Sequence, residues 1–140
     1  MENNESPRLV FSPTQIAVGS YFGGPVAAVY YIWDNFRSMG ETEMQGHALK
    51  LGGAFIIALT ISLPFIPENT PNSLIPAIYT AIAAYVATKH QVTKEQAAAD
   101  DRYVFYSNWT VAKVALLSML AYFGSLIAIL MVMAGAGYEL

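Results

Sequence analysis

Apolar positions in this chain do not alternate with polar ones at a two-residue period, nor do they form a stripe at helical spacing. They come in long blocks. No Asp, Glu, Lys or Arg occurs over residues 9–33, 51–67, 69–88 or 114–138. A helix rises about 1.5 Å per residue, so about 20 apolar residues cross a hydrocarbon core of about 30 Å. The first and last blocks, 25 residues each, are long enough by themselves. The second reaches full length if it starts near His47, with the Lys50 ammonium extending to the surface. The apolar part of the third, residues 74–87, is short and needs tilt or local bilayer thinning. Residues 115–134 carry no polar face at a 3.6-residue period, as an outward helix of a soluble bundle would. The pattern predicts an all-α, four-helix transmembrane bundle in a single domain, residues 1–140, with spans at about 12–33, 47–66, 73–88 and 111–134.

Composition agrees with the blocks. Of 140 residues, 55% are hydrophobic and 12% charged, and the mean hydropathy is +0.41; a soluble domain carries about 25% charged residues. Without cysteine, disulfides, thiolate metal sites, cysteine nucleophiles and lipidation at Cys are excluded. The net charge of −3 argues against a nucleic-acid partner, which needs a basic face to neutralise phosphates.

Four spans leave three connections and two tails. Six of the seven bases, Arg37, Lys50, Lys89, Lys94, Arg102 and Lys113, lie in the first and third connections. The positive-inside rule puts those two connections in the cytoplasm and both termini outside. The acidic start lacks a signal peptide's basic n-region and cleavage site, so the first span is expected to be retained. Trp33, Tyr106 and Trp109, with their aromatic neighbours, are placed as a belt at the cytoplasmic interface. Within the connection 89–110, residues 91–101 favour a surface helix, and Thr93 followed by Gln96 has the form of a capping box.

Helix association in lipid relies on close backbone contact, which small residues permit. Gly19 and Gly23 form a GxxxG spacing, Gly52 and Gly53 lie in span two, and Gly124 belongs to a small-residue seam in span four. Gly24-Pro25 predicts a kink, because Pro25 lacks an N–H and its ring clashes with the preceding turn. Such a break either fits neighbouring helices or lines a solute site.

Candidate chemistry is sparse. No span holds a mid-depth carboxylate of the kind that coupled transport uses. Glu43 and His47 are four residues apart and, with His90, Asp100 or Asp101, could in principle form a metal site; two histidines without a spacing motif do not specify one. Nucleophile, phosphate-loop and dinucleotide motifs are missing. No catalytic, cofactor-binding or metal-binding residue is assigned.

Phe11-Ser-Pro-Thr-Gln-Ile16, Gly23-Gly24-Pro25 and Asn35-x4-Gly40 resemble an uncharacterised group of small bacterial multi-pass membrane proteins. The likeness covers residues 10–40. It implies a bacterial inner-membrane origin and carries no activity with it.

The expected function is therefore non-enzymatic. The chain reads as a scaffold or accessory subunit in the lipid bilayer, associating with itself or with a larger membrane partner. The alternative is a transporter or channel for a neutral or small apolar solute at the kinked first span, with Tyr21, Tyr79 and Tyr85 facing the break. A third reading is a membrane-bound enzyme using His47, His90 and residues 91–109.

Overall fold

Ser12 begins the first helix. Its hydroxyl accepts from the Gln15 N–H while the Gln15 side chain accepts from the Ser12 N–H, and Pro13 occupies the first helical position. In the computed structural model, which describes residues 5–137, the elements run β1 (Arg8–Val10), α1 (Pro13–Met39), α2 (Thr42–Ser62), a 3-10 turn (Leu63–Phe65), α3 (Leu74–His90), α4 (Lys94–Ala99), β2 (Tyr103–Phe105) and α5 (Asn108–Gly135). Among the described residues the chain is mostly helical, with four long helices and two three-residue strands. Thr42–Phe65 and Asn108–Gly135 are each long and apolar enough to cross a membrane.

The main departure from the sequence reading lies in α1. Gly24 has φ 85° and ψ −176°, a conformation that only glycine adopts readily. Pro25 comes next, as the first residue of a new helix. At that point the chain turns back on itself. Phe11 and Asn35 are 24 residues apart, about 36 Å along a straight helix, yet the Phe11 N–H donates to Asn35 Oδ1 at 2.6 Å. A methyl group placed on Gly19 would lie 2.5 Å from the Tyr31 hydroxyl. Residues 13–23 and 25–39 are thus two arms of a helical hairpin. The arms rise about 16 Å and 22 Å, and neither is as long as a hydrocarbon core is thick.

The expected first span at 12–33 is corrected accordingly. It is no single rod, and the N-terminal strand does not lie opposite the 34–41 and 89–110 connections. It lies with them. β1 pairs in parallel with β2, Arg8 opposite Tyr103 and Val10 opposite Phe105, extended by Arg8 N–H to Arg102 O at 2.7 Å and Tyr106 N–H to Val10 O at 3.0 Å. Arg8 also donates to the Met39 carbonyl at 3.2 Å, satisfying the end of α1 just before Gly40 takes a left-handed conformation.

The hairpin is the centre of the molecule. α2, α3 and α5 all pack on α1. The buried cluster consists of Phe11, Ile16, Ala27, Ala28, Tyr31, Ala83, Ala87 and Val111. α2 contributes no buried residue, and α5 contributes only Val111, Ala115 and Ser118, all in its first half.

Candidate functional site

The strands, the two ends of the hairpin and the segment after α3 converge on a polar hub around Asn35, which is fully buried. Its carboxamide pairs with both backbone groups of Phe11, accepting from N–H and donating to C=O at 2.8 Å, as a neighbouring strand would. The same Nδ2 donates to Gln91 Oε1 at 3.0 Å, and Gln91 Nε2 donates to the Ile32 carbonyl at 2.9 Å. Asp34, 2% exposed, accepts from the Tyr106 hydroxyl at 3.1 Å and pairs with Arg37 at 3.2 Å. Gln15 Nε2 donates to Tyr106 O at 2.7 Å and Asn108 Oδ1 at 3.0 Å. Phe11 is stacked on Tyr106 and meets Tyr31 edge-on, with centroids 4.2 and 4.7 Å apart.

Every polar group named in the hub is occupied by another part of the chain. Such a network fixes geometry. Burial first, and then the Asp34 charge and hydrogen bond, push the Tyr106 phenol up to about 12. Asp100 is held below the usual carboxylate range by its bonds to Arg102, the shortest at 2.7 Å.

The predicted packing residues divide. Gly19 faces the Tyr31 ring, Gly23 lies against the Ala115 backbone, and Gly52 meets Val29. The GxxxG spacing thus serves contacts within the chain, one across the hairpin and one to α5. At Gly53 and Gly124 an added methyl group would meet nothing within 4 Å, so neither marks a close backbone approach among the described residues. Gly24 likewise has open space, and its requirement is the dihedral alone. Trp33, Tyr106 and Trp109 gather at the hub end: the Arg37 guanidinium lies 5.2 Å from the Trp33 ring centroid, Tyr106 enters the hub, and Trp109 is 71% exposed. The capping box of Thr93 and Gln96 is present and starts α4.

Among the described residues, no group of three or more His, Asp or Glu could hold a metal ion. Glu43, His47, His90 and Asp100 are therefore not assembled into one set. The two histidines do meet in another way. Both line an apolar cleft of about 340 Å³ bounded by α2 and α3 and floored by the second arm of the hairpin. Sequence reasoning missed this cleft, because α2 and α3 pack on α1 and not substantially on each other.

A second cavity, of about 350 Å³, lies at the hairpin tip. Gly23, Gly24, Pro25, Tyr21, Tyr79 and Tyr122 are among its lining residues. The Tyr79 hydroxyl reaches the Tyr21 carbonyl at 3.4 Å, and Thr60 and Tyr122 share a hydrogen bond of 3.0 Å. Tyr85, expected at this break, is 61% exposed and does not line the cavity.

Comparisons of the chain with protein-family models, with curated proteins and with solved structures gave no match.

Proposed function

We propose that the chain is a multi-pass protein of the bacterial inner membrane that works as a scaffold or accessory subunit, associating with itself or with a larger membrane partner. In this reading α2, α3 and α5 cross the bilayer, and the hairpin enters from one side and returns to it. The reading is carried by one observation: much of the apolar surface of α2 and of the outer half of α5 has no intramolecular cover. Ile57, Ile61, Phe123, Ile127, Met131 and Val132 are all exposed. Water would make such a surface costly at about 25 cal/mol per Å², whereas lipid and partner helices solvate it.

Charge supports the orientation. With the N-terminal strand brought to the hub, Arg8 joins the six other bases, Arg37, Lys50, Lys89, Lys94, Arg102 and Lys113, in the half of the molecule that holds the hub. By the positive-inside rule that end faces the cytoplasm, and the 66–73 turn and the end of α5 face away. In this orientation the N-terminal strand is cytoplasmic. The test is extraction in a mild detergent after membrane pelleting, followed by sizing and identification of bound chains. A stable homo-oligomer or a stoichiometric membrane partner is expected; a strictly monodisperse, partner-free monomer overturns the scaffold reading.

The cavity at Gly23-Gly24-Pro25 favours a second reading, passage of a neutral or small apolar solute. Irregular backbone at membrane depth is tolerated where it lines a cavity or is buried in protein. Flux in vesicles that is lost in Pro25→Ala supports it; no flux from the parent chain rejects it.

A further inference from the structure

The cleft between α2 and α3 is an apolar trough. It runs from Pro25 and Tyr79 at the hairpin tip to His47 and His90 at the hub end. Tyr79 and His90 are eleven residues apart on α3, about 16 Å along the helix, which is about half of a hydrocarbon core and so one leaflet. Val29, Ile32, Phe55, Ile82 and Val86 supply much of an apolar wall, and its polar groups lie at the ends. Its volume falls in the range of small-molecule sites, about 300–1,000 Å³.

A third cavity, of about 490 Å³, lies at the hub end and shares His90 with the cleft. Its lining includes Lys89, Gln91, Gln96 and Asp100. Asp100 is committed to Arg102, which holds both its carboxylate oxygens. Lys89 is in no ion pair among the described residues. Glu43 and Glu95 line neither cavity. Across the two linings, the Lys89 ammonium and the His47 and His90 imidazoles are the basic groups, and none of them has a carboxylate partner among the described residues.

We propose that this trough and the adjoining cavity bind one phosphate-headed lipid, its chain lying between α2 and α3 and its phosphate held by Lys89 and His90, with His47 at the same mouth. The site rests on the membrane reading above and adds the ligand class to it. An ammonium suits a phosphate as a point charge. The trough supplies specificity for an attached chain over free phosphate.

The test uses the full chain, purified from the membrane pellet in mild detergent and studied by native mass spectrometry. The probes are phosphatidylglycerol, diacylglycerol and inorganic phosphate. Phosphatidylglycerol is expected to remain bound. Lys89→Ala, at an exposed position, weakens that binding about tenfold, the loss of one charge-assisted bond, and leaves weak diacylglycerol retention unchanged. Val86→Trp fills the trough and removes both lipids. Because that variant risks misfolding, Lys89→Ala alone decides the head-group assignment. Three outcomes overturn the proposal: no preference for phosphatidylglycerol over diacylglycerol, a Lys89→Ala variant that binds as the parent does, or displacement by inorganic phosphate at equal concentration. Recovery of the parent chain in the supernatant would instead overturn the membrane reading, so the two failures are distinct.

Discussion

The two ends of this molecule are built on opposite plans. At the hub end, two strands, the hairpin ends and Gln91 interlock through buried, fully paired polar groups. At the other end, α5 runs on past Ser118 with no further buried residue, and α2 buries none along its length. The difference teaches where tertiary specificity resides in a greasy chain. In the proposed bilayer setting, apolar contact alone would give no preference for a neighbouring helix over lipid, and hydrogen bonds and close backbone approaches would fix the fold. Both are concentrated on α1.

The largest effect that could break this contrast is topological. The chain has no native cysteine, so single introduced thiols report cleanly. In intact cells or sealed vesicles, Ser6→Cys, Ser38→Cys and Asp101→Cys should label from one side and Thr70→Cys from the other. Position 6 labelling with position 70 would restore a straight first span and remove the hairpin.

Next in size is Asn35→Ala. It leaves the Phe11 N–H and C=O and the Gln91 Oε1 without their partner, at about 1–3 kcal/mol for each buried group left unpaired. Stability measured by unfolding in a denaturing detergent should fall by several kcal/mol in all. A change under about 1 kcal/mol would show that the hub is not what holds this end.

The glycines sharpen the comparison by sign. Gly24→Ala should destabilise by about 1–3 kcal/mol from backbone strain alone, and Gly23→Ala should also destabilise by driving a methyl group to 2.7 Å from the Ala115 Cα. Gly53→Ala and Gly124→Ala, in open helical positions, should stabilise by about 0.5–1 kcal/mol. Destabilisation of an oligomer by Gly124→Ala would mark that face as a seam between copies.

Tyr106→Phe should cost about 1–2 kcal/mol, for a hydrogen bond to a carboxylate that keeps its Arg37 partner. The phenol's folded value, about 12, lies above the ordinary value of about 10. Its contribution is therefore complete below about pH 10 and is lost as pH rises toward 12. The stability difference between parent and variant should shrink over that interval; a constant difference would show that Tyr106 does not titrate with the fold.

Much of the helical layout is legible in the charge-free blocks. α2, α3 and α5 take up most of the second to fourth blocks, and Thr93 with Gln96 marks α4. The hairpin is not legible as such. Hydropathy counts apolar residues and is blind to direction, so a 25-residue block reads as one crossing whether or not it reverses. Signals for reversal are nonetheless present. Ser12-Pro13-x-Gln15 fixes where the helix begins, and Gly24-Pro25 divides the block into arms shorter than a bilayer core. The cleft leaves no sequence signal, because His47 and His90 lie 43 positions apart and only the shared α1 floor brings them to one mouth. Asn35 is visible as part of a motif, but its main partners are backbone atoms of Phe11, and backbone partners leave no pattern in side-chain order.

The parallel pairing of β1 with β2 has a consequence for biogenesis. Ribosomes add about 5–20 residues per second, so the strand made first waits on the order of ten seconds for its mate to be synthesised. During that interval Asn35 can already clasp Phe11, while Gln91 and Tyr106 have yet to emerge. Nascent chains should therefore pass through a stage in which the hairpin is shut but unlatched, and completion of the 103–105 segment is the event that bolts the leading end to the rest.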